Sequence, residues 1–125
     1  HAHGALVVVN GDATLARRIA ADGLHLSADQ LAACTARPDF AWVGASCHDA
    51  AEIRRAGELD LDYALLGPVL PTPSHPEAPG IGWQGFAERA ADNRIPVFAL
   101  GGLRPAQHDE AQAHGAHGVA LMRGW

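Results

Sequence analysis

Lysine is absent from this sequence of 125 residues, and all nine of its basic residues are arginine. The absence excludes enzymes that form a Schiff base through lysine, lysine-anchored pyridoxal sites, and the P-loop, whose lysine reaches the phosphates. A phosphate group bound by this chain must therefore be held by backbone N–H groups, arginine, hydroxyl groups or histidine.

Cysteine, positive charge and long apolar runs are also scarce. Cys34 and Cys47 are the only cysteines and show no CxxC spacing, so they indicate neither a disulfide framework nor a zinc knuckle. This usage fits a reducing compartment, and we expect a cytoplasmic location. The net charge of −5 argues against a nucleic-acid partner. No apolar run approaches the roughly 18 residues of a membrane span, so no membrane partner is expected.

The composition present is that of one folded domain, with 48% hydrophobic and 18% charged residues. The chain opens without methionine, and a strand-like run begins at Ala5. We interpret residues 1–4 as a linker or a remnant of cloning, and residues 5–125 as one domain that is part of a longer protein.

Short apolar runs alternate with alanine-rich helical patterns, which predicts an α/β fold with a parallel sheet, because continuously apolar strands are typical of sheets covered on both faces. In the first helix, Leu15 and Ile19 are expected to form a buried stripe with Ala16 and Ala20. The predicted strands are Ala5–Asn10, Gly23–Leu26, Ala41–Ser46, Asp62–Gly67, Pro96–Gly101 and Gly118–Arg123. The predicted helices are Asp12–Ala21, Ala28–Ala36, Asp49–Gly57, Trp83–Asn93 and Pro105–His114.

One long irregular segment, Gly67–Gly82, carries five of the eight prolines. It follows a predicted parallel strand, and α/β proteins bind their ligands at the carboxyl ends of such strands. The same composition also fits a rigid surface connector, and spacing alone leaves both interpretations open.

Six short motifs, in order along nearly the whole chain, resemble those of the thiamin phosphate synthase family and its relative, the thiazole tautomerase. They read VNGD from Val9, DGLHLSAD from Asp22, GASCH from Gly44, GPVLPTPS from Gly67, PVFALGG from Pro96 and GAHGVA from Gly115. The resemblance implies a parallel (β/α) barrel of the TIM type, here truncated to six of eight strands, with its active site at the carboxyl ends of the strands. Compared with the full barrel of that family, this chain would lack the first two strands and the last helix.

The resemblance also implies a reaction and roles for individual residues. In the synthase, magnesium-bound pyrophosphate leaves a hydroxymethylpyrimidine, and the nitrogen of a thiazole phosphate captures the pyrimidine cation that results. By position, Ser46 would meet the leaving group and Asn10 the pyrimidine or its pyrophosphate. In the tautomerase, the histidine matching His48 is a candidate proton carrier. The positions implied for phosphate binding are Thr72, Ser74, His75, Gly101, Gly102 and Arg123.

The implied cofactor is Mg²⁺, and Asp29 would be one of two carboxylates near it. Gly11 stands where the synthase has its first metal-binding aspartate, and His75 stands in place of a lysine that binds pyrophosphate. Simpler explanations remain open for several positions. Asp29 fits the start of a helix, Asn10 fits a turn, and Gly101 fits a close backbone approach to a neighbouring strand.

The sequence is therefore compatible with three functions. The first is a thiamin-phosphate-synthase-like transferase that binds phosphorylated thiamin precursors. The second is a tautomerase-like isomerase that uses His48. The third is a non-catalytic domain that binds a phosphorylated ligand and is attached to a Nudix hydrolase. In each case six strands cannot close a standard barrel. We therefore expect self-association, or contact with the rest of the parent protein, at the edge strand Ala5–Asn10.

Overall fold

The computed structural model of the chain describes residues 8–70, 80–91, 93–101, 103 and 105–120. Strands and helices alternate along these residues. The strands are β1 (Val8–Asn10), β2 (Gly23–Leu26), β3 (Trp42–Cys47), β4 (Tyr63–Leu66), β5 (Val97–Leu100) and β6 (Gly118–Ala120). The helices are α1 (Ala13–Arg18), α2 (Ala28–Ala33), α3 (Ala50–Glu58), α4 (Gly82–Ala90) and α5 (His108–Ala113), and a 3₁₀ turn, Pro105–Gln107, precedes α5.

The strands form one parallel sheet in the order β1-β2-β3-β4-β5-β6. A parallel sheet in which each strand lies beside the next one in sequence is typical of the wall of a (β/α) barrel. In a doubly wound sheet the order of the strands reverses at a switch point. The prediction of a truncated parallel barrel is therefore confirmed. Among the described residues, β1 pairs only with β2 and β6 only with β5, so this sheet is open.

The core lies between the sheet and its helices. Strand side chains alternate between two faces, and in β3 the residues that face the helices, Val43, Ala45 and Cys47, are almost fully buried. They pack with helix residues such as Ile53 and Phe86. The opposite face of the sheet, called the inner face below, carries His25, Ser46, Tyr63 and Phe98 among others, and these are half-buried.

Side-chain caps begin three of the helices. Asp12 accepts a hydrogen bond from Leu15 N at 2.9 Å, and Asp49 accepts one from Glu52 N at 2.9 Å. Ser27 and Gln30 form a reciprocal capping box at the start of α2. Such caps satisfy N–H groups that the first turn of a helix leaves without partners.

The buried stripe predicted for the first helix is wrong. Ala16 is fully buried, but Leu15 is 45% exposed and Ile19 is 48% exposed. The reason is the position of α1 at the edge of the sheet, where it contacts β1 and β2, whereas α3 packs between α2 and α4. The outer side of α1 thus lacks a neighbouring helix among the described residues.

Candidate functional site

The carboxyl ends of the strands bring four of the predicted site residues to one edge of the sheet. Asn10 ends β1, Ser46 is the penultimate residue of β3, His48 follows β3, and Gly101 follows β5. Because all strands are parallel, these ends share the same edge. Thr72, Ser74, His75, Gly102 and Arg123 lie outside the described residues, so their roles remain predictions.

Among the predicted site residues that the structure describes, Ser46 is linked by hydrogen bonds to side chains of two other strands. Its side chain lies half-buried on the inner face, and its Oγ is 2.8 Å from Nε2 of His25 in β2. The other ring nitrogen of His25, Nδ1, is 2.9 Å from the hydroxyl oxygen of Tyr63 in β4. Three side chains from three adjacent strands therefore form one hydrogen-bonded chain that leads to Ser46.

The His25–Tyr63 pair was not identified from the sequence. Its signal was present in the alternation within β2, where the buried Leu24 and Leu26 face the helices and His25 must face the other way. Burial lowers the pKa of His25 below its usual 6.5. Burial, and then the charge of Asp62, raises the pKa of Tyr63. Near neutral pH both groups are therefore uncharged, and the imidazole has one donor and one acceptor nitrogen.

His48 lies apart from this chain of hydrogen bonds. Its side chain is 60% exposed, and its Nδ1 is 3.2 Å from Oε1 of Glu52. The same carboxylate oxygen accepts a hydrogen bond from the backbone N–H of His48 at 2.6 Å. Cys47 beside it is buried towards the helices, and burial together with Glu52 and Asp49 raises the pKa of its thiol to about 12. A cysteine–histidine dyad is therefore absent at this point.

Gly101 contacts a neighbouring chain segment. With φ at +100°, a Cβ atom on this residue would lie 2.6 Å from Pro68 Cα. Val69 N donates to Leu100 O at 2.9 Å, and Leu70 N donates to Gly101 O at 3.1 Å. The segment after β4 is thus bound tightly alongside the end of β5, which accounts for a glycine here. A phosphate contact of its N–H group stays a prediction.

The two ends of the proline-rich segment are joined at this edge. Ile81 N donates to Pro68 O, and Gly82 N donates to Val69 O, both at 2.8 Å. Residues 68–70 and 80–82 therefore form a hydrogen-bonded base, called the loop base below, that lies beside Gly101. The loop that begins and ends here contains Thr72, Ser74 and His75 in sequence.

The described residues do not fit the Mg²⁺ that the resemblance implies. Gly11 contributes no side chain, and the residue opposite it is Gln30, whose amide Nε2 donates to Gly11 O at 2.8 Å. Asp29 is exposed in the first turn of α2. In the described part of the chain, no three His, Cys, Asp or Glu side chains are grouped as metal ligands would be.

A cavity of about 430 Å³ lies at the opposite end of the inner face, lined by Trp42, Asp62, Tyr63, Leu65, Pro96, Phe98, His117 and Ala120. Several of these residues stand at or just before the amino ends of their strands, and the lining is mainly apolar. In (β/α) barrels this end contributes to stability, whereas catalysis occurs at the carboxyl end. We therefore assign the cavity to the barrel interior.

Comparisons with known proteins agree with this architecture. The family described as thiamine monophosphate synthase matches residues 1–125. A thiamine-phosphate synthase of Mycobacterium sp. (strain KMS) is 39% identical over 127 residues, which cover 97% of this chain and 55% of that protein. A thiamine-phosphate synthase of Parasynechococcus marenigrum is 38% identical over 96% of this chain and 35% of its own length.

A solved structure supports the same conclusion about the fold. Thiamine phosphate pyrophosphorylase from Pyrococcus furiosus superposes with a TM-score of 0.73 at 27% identity, covering 96% of this chain and 58% of that one. The chain thus spans a third to three fifths of the length of these relatives. No helix in the described ranges is long and apolar enough to cross a membrane.

Proposed function

Because the chain belongs to the thiamine monophosphate synthase family, we propose that it forms part of a transferase that joins two phosphorylated precursors in thiamin biosynthesis. The nitrogen of a thiazole phosphate forms a bond to the methylene carbon of a hydroxymethylpyrimidine diphosphate, and the bond from that carbon to the diphosphate oxygen breaks. Inorganic pyrophosphate leaves with the electron pair of the broken bond.

The observation that carries this proposal is the position of Ser46. Its hydroxyl group is held by His25 at the carboxyl edge of a parallel sheet, where (β/α) enzymes bind substrates. A hydroxyl group fixed before the ligand arrives can donate to a leaving oxygen without reorganising. In this proposal Ser46 contacts the departing diphosphate, and Asn10, at the end of β1 and paired with His25 of β2, contacts the pyrimidine or the same diphosphate.

The phosphate of the thiazole is proposed to bind between the end of β5 and the loop that leaves the loop base. Support comes from two sets of backbone hydrogen bonds: Val69 and Leu70 bond to the end of β5, which holds the start of the loop beside Gly101, and residues 81 and 82 bond to residues 68 and 69, which holds the end of the loop beside its start. The proposed phosphate ligands are the side chains of Thr72, Ser74, His75 and Arg123 and the backbone N–H groups of Gly101 and Gly102. Hydroxyl and N–H donors are suited to a phosphate in a chain without lysine.

Mg²⁺ is proposed only as a companion of the diphosphate, with Asp29 as a candidate carboxylate. The neutral pair of Gly11 and Gln30 does not form a metal site by itself.

The proposal is tested by incubating the full-length protein with both precursors and Mg²⁺ and measuring released pyrophosphate. We expect release by the wild-type protein, a decrease of about tenfold or more in Ser46→Ala, and no change in Thr35→Ala, which removes an exposed hydroxyl group from the connection between α2 and β3. No release above buffer would contradict a transferase. Binding without turnover would then support a non-catalytic domain, and loss of thiazole-phosphate isomerisation in His48→Ala would support a tautomerase.

We also propose that further protein covers the apolar surface at the edge of the sheet. Val8, Leu15 and Ile19 are 40–48% exposed there, and β1 has an unpaired edge among the described residues. Since the relatives are longer, the expected cover is the remainder of the same polypeptide. A full-length protein that is monomeric, with Leu15 protected from solvent, supports this; a dimer disrupted by Leu15→Glu would show that a second copy covers the surface.

A cytoplasmic location is part of the proposal. Cys34 and Cys47 are both free thiols, which suits a reducing compartment. Fractionation of cells that express the tagged full-length protein tests this location.

A further inference from the structure

The inner face carries a chain of hydrogen bonds that crosses three strands and ends at Ser46. Tyr63 Oη lies 2.9 Å from His25 Nδ1, and His25 Nε2 lies 2.8 Å from Ser46 Oγ. Both ring nitrogens of His25 are engaged, so the imidazole is fixed in position and orientation. The reaction proposed above uses Ser46 but gives no role to His25 or Tyr63.

The backbone register shows how Tyr63 reaches a histidine two strands away. His25 lies opposite Gly44, and Gly44 lies opposite Tyr63. A Cβ atom at position 44 would lie 1.9 Å from Tyr63 Cζ, so the tyrosine ring occupies the space that a side chain on β3 would fill. The ring then stacks on His25, with centroids 5.7 Å apart and planes inclined by 20°. Gly44 is therefore required for the hydrogen bonds that connect Tyr63, His25 and Ser46.

A neutral imidazole gives this chain of hydrogen bonds one of two directions. In the first direction, Tyr63 O–H donates to Nδ1 and Nε2–H donates to Ser46 Oγ. The hydrogen of Ser46 is then available to a ligand. In the second direction, Ser46 O–H donates to Nε2 and Nδ1–H donates to Tyr63 Oη. Ser46 then offers only lone pairs. A ligand oxygen that carries negative charge is stabilised only by the first direction.

We propose that His25 and Tyr63 are positioning residues that fix Ser46 as a hydrogen-bond donor to an anionic oxygen of the ligand. The inference rests on the proposed function in taking that oxygen to belong to the diphosphate group. It adds that Tyr63 sets the tautomer of His25 and that His25 sets the direction of the Ser46 hydroxyl group. Neither residue needs to touch the substrate.

The tautomer of His25 is the direct test. The full-length protein is labelled with ¹⁵N-histidine, and the ring signals of His25 are assigned by their loss in His25→Gln. Spectra are recorded at neutral pH with and without inorganic pyrophosphate. We expect His25 to carry its proton on Nε2 when pyrophosphate is bound. A proton on Nδ1 in that complex would overturn the proposal.

Binding of pyrophosphate to variants provides the second test. Tyr63→Phe keeps the ring and removes only the hydroxyl group, and should raise the Kd for pyrophosphate about fivefold, as for one hydrogen bond. Ser46→Ala should weaken binding by at least as much. The double variant should bind no more weakly than Ser46→Ala, since Tyr63 acts through Ser46. Thr35→Ala is the matched control and should bind like the wild-type protein.

Additive effects of the two substitutions, or unchanged binding in Tyr63→Phe, would overturn the proposal, as would a wild-type protein that binds no pyrophosphate. Failure of the proposed function gives a different result. In that case pyrophosphate binds and the tautomer is as expected, but the wild-type protein forms no product from the two precursors.

Discussion

Replacement of Gly44 by alanine tests whether the Tyr63 ring fills the space beside Gly44 on the inner face and so reaches His25. The added methyl carbon would lie 1.9 Å from Tyr63 Cζ and 2.2–2.3 Å from the two adjacent ring carbons. Carbon atoms do not approach so closely, so the ring must move away from β3. Because Tyr63 reaches His25 across this position, the movement also separates the tyrosine hydroxyl from Nδ1.

The expected loss of stability has two parts. Overpacking a well-packed position costs roughly 1–3 kcal/mol. Loss of the hydrogen bond between Tyr63 and His25 costs about 1 kcal/mol more. The free energy of unfolding should therefore decrease by about 2–4 kcal/mol, a large part of the roughly 5–15 kcal/mol typical of a folded protein. At roughly 4 °C per kcal/mol, the unfolding midpoint should decrease by about 8–16 °C.

Thermal unfolding followed by circular dichroism measures this change, with Gly57→Ala as the control. Gly57 lies within α3, where a Cβ atom would be 3.4 Å from the nearest atom, Arg94 Cβ. Alanine is favoured over glycine in a helix by up to about 1 kcal/mol, so the control should be unchanged or more stable.

The tyrosine ring can be identified as the cause by a double-mutant cycle. If the clash with the ring is responsible, Gly44→Ala should cost much less in a Tyr63→Ala background than in the wild-type protein. A cost that is equal in both backgrounds would refute the reasoning, and so would a Gly44→Ala protein as stable as the wild type.

Three further predictions concern single side chains. Burial lowers the pKa of His25, so as the pH falls this histidine takes up a proton in the unfolded chain before it does so in the folded protein. The free energy of unfolding should therefore decrease below about pH 6.5. The decrease should be weaker in His25→Gln, and an identical decrease would contradict the prediction. The Cys47 thiol is buried and burial raises its pKa to about 12, so iodoacetamide at pH 8 should label Cys34 well before Cys47. Mass spectrometry of peptides measures the labelling of each cysteine, and equal labelling would contradict the burial of Cys47. Gly11→Asp combined with Gln30→Asp should bind Mn²⁺ at least tenfold more tightly than the wild type in a calorimetric titration, and unchanged affinity would show that the two side chains do not meet. The double variant should lose at least about 1–2 kcal/mol in stability, because φ of Gly11 is +79° and because Gln30→Asp also removes the hydrogen bonds of Gln30 with Ser27 N and Gly11 O.

The sequence was sufficient for the sheet because local pattern determines much of a parallel α/β fold. The strand Gly23–Leu26 is confirmed at both ends, and the helix predicted at Ala28 begins there. Helix ends were less accurate, since Pro105–Gln107 forms a 3₁₀ turn before α5. The stripe of Leu15 and Ile19 was misassigned because an amphipathic pattern shows which side of a helix is apolar, but not whether another element covers it.

The site was predictable only in part, for a physical reason. Ser46 was indicated by the resemblance of the GASCH motif to the thiamin phosphate synthase family, and such a motif is local sequence information. Its partner His25 and the more distant Tyr63 become visible only when the register across three strands is known, because each strand shifted by one residue would turn its side chains to the other face. The absence of a side chain at Gly44 likewise acquires its meaning only from a tyrosine 19 positions later in the sequence.

The loop base has a consequence for how such a protein can change its specificity. The four hydrogen bonds that link residues 68–70 to the end of β5 and to residues 81 and 82 are made by backbone atoms alone. Exchanging the nine intervening side chains therefore leaves the attachment to the sheet intact. Natural variation or a designed library confined to residues 71–79 can alter which molecule is accepted while the scaffold that presents those residues keeps its stability.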